Sequence, residues 1–292
     1  MKKFEYTYKA LWTICIISII SENENWLNEI INDCYQKTLA FEQEFSRFQY
    51  DSVLNKLNRE KKQEVSEDFL SLIYKSKIVY TLTDWYFNPL IDVKKIWYSH
   101  NFLDNNFEIQ AWNEDLDLNQ VKNYWKFLEI WQNMNIDFWA IAKWYFAEKM
   151  SKYILNKWYK NNLVNLWWDI YASGTNWEGK KWNIGIDSPF WQNEIIASME
   201  ISNSSISTSW TYLRNWEILW KKYHHIRNPY SLSCENDFVS VTILHMHWYM
   251  SDAIATAVIA MWKTKWIEFC TKNNILFFFV LQNGEIIKRN IL

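Results

Sequence analysis

Asp252 and Thr256, in SDAIATA, stand four residues apart, so on a helix they share one face with their oxygens pointing the same way. A carboxylate and a hydroxyl, completed by a backbone carbonyl such as that of Ala140, make an oxygen-only site for a hard cation. Mg²⁺ fits such a site because it takes few protein ligands and keeps water or phosphate oxygens for the rest. The same spacing has a plainer use, and on spacing alone the commoner one: the Asp stabilises a helix dipole and the Thr bonds its own backbone. His225, in YHHIRNP, precedes a polar turn and Pro229. An imidazole there could take a proton from a hydroxyl nucleophile, or it could be structural, as His224, His245 and His247 are read. Lys143 could pair with a phosphate or with Asp137.

The element that must position these groups is NIDFWAIAKWYFAEK, Asn135 to Lys149. It reads as an acidic strand end at Asp137, a small-residue turn at Ala140 and Ala142, then Lys143. A helix follows, with Phe146, Met150, Tyr153 and Ile154 at apolar spacing. Upstream, alternating apolar residues from Leu11 to Ile19 predict a first strand, and Glu24 to Phe45 an amphipathic helix. Phe45 to Glu60 reads as a loop able to close over a ligand. Ser66 caps a helix running through Thr81, and Phe107 to Ile136 reads as short strands with turns near Asn113 and Trp125. Downstream, Asn162 to Gly174 reads as a strand broken before Asp169, and Trp182 to Ile186 as its continuation in the sheet. Further strands are predicted at Ile195–Ile201, Ser204–Ser209, Phe238–His245 and Ile275–Leu281, with a hairpin turn at Asn283-Gly284. Met250 to Met261 reads as a helix. Strands and helices without a regular βαβ alternation predict an α+β fold in a single domain, 1–292.

The chain has 292 residues, with 21 Trp and only 4 Gly. An ordinary chain carries glycine at about 7%, and pooling the two residue types restores that content. The tryptophans also fall where glycine belongs: Trp167-Trp168 before Asp169, Trp210 after Ser209, Trp262 at a helix end. Most are therefore read as UGA codons of a lineage that decodes UGA as Gly. The competing reading is a Trp-rich, non-catalytic carbohydrate-binding protein, although stacking platforms do not come as adjacent pairs in tight turns. A net charge of −2 without a long basic block argues against nucleic acid as a partner. The four scattered cysteines, with no CxxC, read as buried thiols. The N-terminal MKK and apolar run imitate a leader but lack a small-residue cleavage site. No later stretch is long enough for a membrane span, and a cytoplasmic location is expected, a periplasmic or membrane-associated one being the alternative.

Read with glycine in those slots, the chain resembles the FAD:protein FMN transferase (ApbE) family. The matching segments are ALWT (10–13), FSRFQYDSVLNKLN (45–58), TDWYFNPL (83–90), IDFWAIAKWYFAEK (136–149) and LVNLWWDIYASG (163–174). They continue, in family order, with WNIGIDSP (182–189), SISTSWTYLR (205–214), KYHHIRNP (222–229) and SDAIATAVIAMW (251–262). The resemblance implies a mixed, largely antiparallel sheet with flanking helices, related to the tunnelling-type folds. It also implies Mg²⁺-dependent transfer of FMN from FAD to a Ser or Thr hydroxyl of a target protein bearing an Asp-Gly-x-[Ser/Thr]-like motif, with release of AMP. FAD is then expected at Leu11, Phe45, Ile96, Trp97, Tyr98, Asp137, Lys143 and Ile226. Mg²⁺ is expected on the Ala140 carbonyl with Asp252 and Thr256, and His225 as the base. A Mg²⁺-dependent FAD pyrophosphatase, or an FAD-binding protein with little transfer, is the alternative within the family. The chain departs from the family in lacking a lipobox cysteine and in carrying Asn228 where Asp is usual. Trp182 and Trp216 fall where the family tolerates tryptophan and are expected to be authentic.

Overall fold

A computed structural model describes residues 1–90, 116–191, 193–212, 215–218, 221–231, 233–234, 237–245, 250–262 and 264–289. The chain opens with β1 (Lys2–Ala10), β2 (Thr13–Ser21), α1 (Leu27–Phe45), α2 (Val53–Glu60), β3 (Lys62–Glu64) and α3 (Glu67–Leu82). The middle holds β4 (Lys122–Tyr124), β5 (Phe127–Glu129), α4 (Ala142–Asn156), β6 (Asn162–Leu166), β7 (Asp169–Ser173), β8 (Trp182–Asp187) and β9 (Ile195–Ile201). The last part holds β10 (Ser204–Trp210), β11 (Asn215–Ile218), β12 (Lys221–His224), β13 (Phe238–His245), α5 (Ser251–Ala260), α6 (Lys265–Lys272), β14 (Leu276–Leu281) and β15 (Ile286–Arg289).

Eight strands form one sheet in the order β1-β2-β6-β7-β10-β13-β14-β15. Every neighbouring pair in it is antiparallel. Alternate side chains face opposite sides of a strand, and the core divides accordingly. Ile17, Ile19, Val164, Tyr171, Val241, Phe277 and Phe279 join the helices in the larger cluster. Ile20, Ile170, Ala172, Ile206, Phe278 and Val280 face the other way, onto the β8–β9 hairpin. With both faces covered, β7 is buried along its whole length. On the helical side α4 packs on β6 and β7, and α5 on β10 and β13. The fold is α+β, as the lack of a regular βαβ alternation implied.

Several elements follow their local signals. Ser66 caps α3 by accepting from the Phe69 amide at 3.1 Å, and Phe146, Met150 and Ile154 form the buried stripe of α4. All four cysteines are buried, and burial pushes the Cys15, Cys34 and Cys270 thiols up to about 12. Elsewhere the structure corrects the expectation. The first strand is preceded by another, β1, whose charged residues alternate on its exposed face. The expected loop from Phe45 to Glu60 contains α2. Asn135 to Asp137 belongs to no strand among the described residues, and the Asp137 amide donates to Pro89 O at 2.8 Å. Trp182 to Ile186 lies outside the main sheet and, among the described residues, pairs only with β9. The Asn113 turn lies outside the described residues.

Backbone angles bear on the tryptophan count. Among the described residues thirteen non-glycine residues have positive φ, and seven are tryptophan: Trp12, Trp26, Trp85, Trp125, Trp158, Trp167 and Trp168. Leu11-Trp12 joins β1 to β2, and Trp167-Trp168 joins β6 to β7. Both are two-residue turns with both φ positive (54° and 56°; 55° and 71°). That is the I′ geometry, whose second position strongly favours glycine.

Candidate functional site

The cleft of the molecule opens at one end of the sheet, where the β6–β7 turn, the end of β10 and the segment entering α4 meet. The entry segment is clamped from outside. Asn58 of α2 accepts from the Ile136 amide at 2.7 Å and donates to its carbonyl at 2.9 Å. Asn55, on the same helix, donates to the carbonyls of Ser46, Arg47 and Gln49 at 3.4, 3.0 and 2.7 Å. The next residues turn sharply, the Phe138 carbonyl accepting from Ile141 and Ala142 at 2.9 and 2.8 Å, and α4 begins.

Two ion pairs line the cleft. Arg47 Nη1 lies 2.5 Å from Asp137 Oδ2, and Asp137 Oδ1 accepts from the Trp139 amide at 2.9 Å. Lys143 pairs with the buried Asp169. The sequence reading placed Lys143 with phosphate or with Asp137; the structure gives Asp137 to Arg47 and Lys143 to Asp169. Arg47 and Asp169 are the residues that sequence reasoning missed. Asp169 directly follows a turn and could have been singled out as a carboxylate opening the largely apolar strand DIYAS, which a charge does without a partner only at a large cost. No comparable signal marked Arg47.

Across the cleft, α5 lies along β10 on hydroxyl contacts. Ser251 Oγ meets Ser205 and Ser207 at 3.1 and 3.0 Å, and Thr256 Oγ1 meets Ser209 Oγ at 3.4 Å. Small polar residues at alternate positions of SISTS let the helix approach closely. Thr256 thus bonds across to the strand, not to its own helix backbone. Asp252 lies in the first turn of α5 without capping it. Its carboxyl is buried, and Oδ2 has no hydrogen-bond partner among the described residues. Burial pushes its pKa well above the usual carboxylate range, the nearby Asp169 adds to the rise, and Lys143 opposes it.

Half-buried His225 follows β12, its ring centre 6.1 Å from that of Trp210. Beyond it Asn228 Oδ1 accepts from the amides of Tyr230 and Ser231 at 2.9 and 3.2 Å, while its own amide donates to Ser233 O at 2.9 Å. The turn needs an acceptor oxygen at that position, which Asp and Asn both supply.

Of the residues expected at the site, Asp137, Ala140, Lys143, His225, Ile226, Asp252 and Thr256 line one cleft, with about 1010 Å³ of empty space including its open mouth. Leu11 and Phe45 line a second hollow of about 450 Å³ that shares Arg47, Asp137, Trp139 and Lys143 with the first. Ile96, Trp97 and Tyr98 lie outside the described residues. A buried carboxyl oxygen without a partner, in the same cleft as a hydroxyl and the Ala140 bend, suits a hard cation. Among the described residues no group of three or more His, Cys, Asp or Glu is placed to hold a metal ion, so a cation here would rest on the Asp252 carboxyl with hydroxyl and carbonyl oxygens.

A model of the ApbE family matches residues 11–279. A FAD:protein FMN transferase of Klebsiella pneumoniae (strain 342) is 34% identical over 113 residues, 38% of this chain and 34% of that protein. One from Chlamydia pneumoniae is 22% identical over 258 residues, 82% of this chain and 78% of that protein. Against the relatives at the top of the comparison the match spans a third to a half of their length. The crystal structure of the ApbE protein of Thermotoga maritima superposes with a TM-score of 0.87 at 22% identity, over 99% of this chain and 97% of that one. The apo flavinyl transferase ApbE of Pseudomonas stutzeri gives 0.84 at 17%, over 99% and 94%. At such identities the superpositions establish the fold.

Proposed function

This chain belongs to the ApbE family, and from that premise we propose that it is a flavin transferase, moving FMN from FAD to a Ser or Thr hydroxyl of an acceptor protein and releasing AMP. The observation that carries the reading is the convergence of Asp137, Ala140, Lys143, His225, Asp252 and Thr256, drawn from three separate stretches of the chain, on a single cleft. Asp252 and Thr256, with the Ala140 carbonyl, would hold Mg²⁺. When bound, that ion supplies Lewis-acid withdrawal of charge from phosphoryl oxygens.

The chain's own groups divide the remaining work. Lys143, oriented by Asp169, brings a fixed positive charge to the diphosphate. Ile226 and Asp137, with Leu11 and Phe45 in the adjoining hollow, hold the two ends of FAD, and orientation of this kind accounts for much of a displacement's barrier. His225, at the edge of the cleft, takes the proton from the attacking hydroxyl. The acceptor motif and the Mg²⁺ requirement belong to this proposal, as do a single domain spanning 1–292 and a cytoplasmic location. Residues 13–20 of the N-terminal apolar run lie in β2, an inner strand of the main sheet. Among the described residues no helix is long and apolar enough to cross a membrane.

The test is incubation with FAD, Mg²⁺ and a peptide carrying the Ser/Thr acceptor. Covalent flavin on the peptide with AMP in solution is the expected result. Free FMN and AMP with no labelled peptide would assign hydrolysis instead, and FAD left intact would overturn the reading.

A further inference from the structure

We infer that the protein made in its own cell carries glycine at positions 139, 144, 167, 168 and 210, and that the two hollows flanking position 139 are then one continuous cleft that takes the whole dinucleotide. The identity of that ligand rests on the transferase reading; glycine at 144, 167 and 168 rests on backbone angles and unsatisfied indoles, and glycine at 139 and 210 on where those rings lie.

The first is backbone conformation. Trp167 and Trp168 occupy both central positions of an I′ turn, with φ of 55° and 71°, where a Cβ is strained at either residue and glycine is not. The second is the indoles themselves. Trp144 is fully buried in α4, and neither its N–H nor the solvent-shielded N–H of half-buried Trp168 has a hydrogen-bond partner among the described residues. Buried tryptophan that belongs in a fold ordinarily satisfies that donor. Trp182 does so, donating to Ser173 O at 3.1 Å from a regular strand. Trp266 packs its ring edge-on to Phe238 and Phe279 at 5.5 and 5.2 Å.

The third is where the suspect rings lie. Trp139 borders both hollows and is flanked by the two cations they share, Arg47 at 4.8 Å and Lys143 at 5.5 Å from its ring. Without that indole the partition is gone, and both cations face whatever fills the joined cleft. Trp210 lies against Trp167 on one side and His225 on the other, with centroids 6.0 and 6.1 Å apart. Glycine at 210 opens the approach to the imidazole.

The decisive measurement is peptide mass spectrometry of the protein purified from its own organism, read beside the codons of its gene. Glycine at the five positions, encoded by UGA, with tryptophan from UGG at 182 and 266, is expected; tryptophan at the five overturns the inference. The second part is tested by producing the sequence as written and a form with glycine at all five positions. Binding of FAD to each is then followed by quenching of flavin fluorescence, without metal or acceptor. The glycine form is expected to bind at least about tenfold tighter; equal affinity in two folded proteins, checked by near-UV circular dichroism, overturns the joined cleft. If the glycine form binds FAD tightly but transfers nothing, the transferase reading fails and this inference stands. If both forms transfer flavin with equal FAD affinity, the reverse holds.

Discussion

The C-terminal ends of α4 and α6 close with the same pair of hydrogen bonds. At α6 the Asn274 amide donates to Thr271 O at 3.3 Å and the Ile275 amide to Cys270 O at 3.0 Å. At α4 the Trp158 amide donates to Leu155 O at 2.9 Å and the Tyr159 amide to Ile154 O at 3.3 Å. Both are Schellman motifs, which need one left-handed residue. Asn274 fills that place with φ 51°, Trp158 with φ 74°. Asparagine tolerates the conformation, whereas a bulky side chain pays roughly 1–2 kcal/mol for it. The Trp158 ring is 88% exposed and offsets little of that by burial. The backbone plan is therefore the same at the two ends, and only the residue at the bend is out of place. The same contrast separates the C-terminal edge, where Gly284 turns β14 into β15 with φ 83°, from the ligand face, where tryptophan occupies the turns.

The division between fitting and misfitting tryptophans would break first at Trp182. Replacing it with glycine is expected to cost about 3–5 kcal/mol in guanidinium unfolding, because a buried, hydrogen-bonded ring is lost from a strand; no loss would place it with the misfits. Next, Trp167→Gly with Trp168→Gly should raise stability by about 2–4 kcal/mol in the same assay, two left-handed positions being relieved at once.

The ligand face misfits in charge as well. The raised Asp252 pKa contributes stability that is fully present below the ordinary value of 3.8 and is lost as pH rises through the folded value. Metal-free wild type should therefore lose ground to Asp252→Asn by about 1.4 kcal/mol per pH unit across that window. Added Mg²⁺ should stabilise the wild type and leave the variant unmoved, which thermal melts at several pH values would check. Trp158→Gly should then stabilise by about 1–2 kcal/mol. Asn274→Gly should shift unfolding by only a few tenths; a gain matching that at Trp158 would erase the comparison between the two helix ends.

Much of the frame was legible because its signals are local. Ser66 and Phe69 are three residues apart, so a capping bond between them needs no tertiary information. The apolar run of β13 and the four-residue spacing of Asp252 and Thr256 can likewise be read without a distant partner. Where the reading missed, polar residues had hidden a role that depends on a distant partner. Asn55 and Asn58 made α2 look like a loop, yet both are spent holding backbone from other segments. β8 looked like another strand of the main sheet, since its apolar pattern is the same whether it pairs within that sheet or covers one face of it.

By itself, then, the sequence determined the periodic elements, the burial of its thiols and the glycine-like placement of its tryptophans. These depend on neighbours within a turn or on backbone angles that every residue carries. Tertiary structure alone decided which cation each carboxylate holds. Arg47 reaches Asp137 across 90 positions and Lys143 reaches Asp169 across 26, and an ion pair depends on distance through space, which separation along a chain does not state.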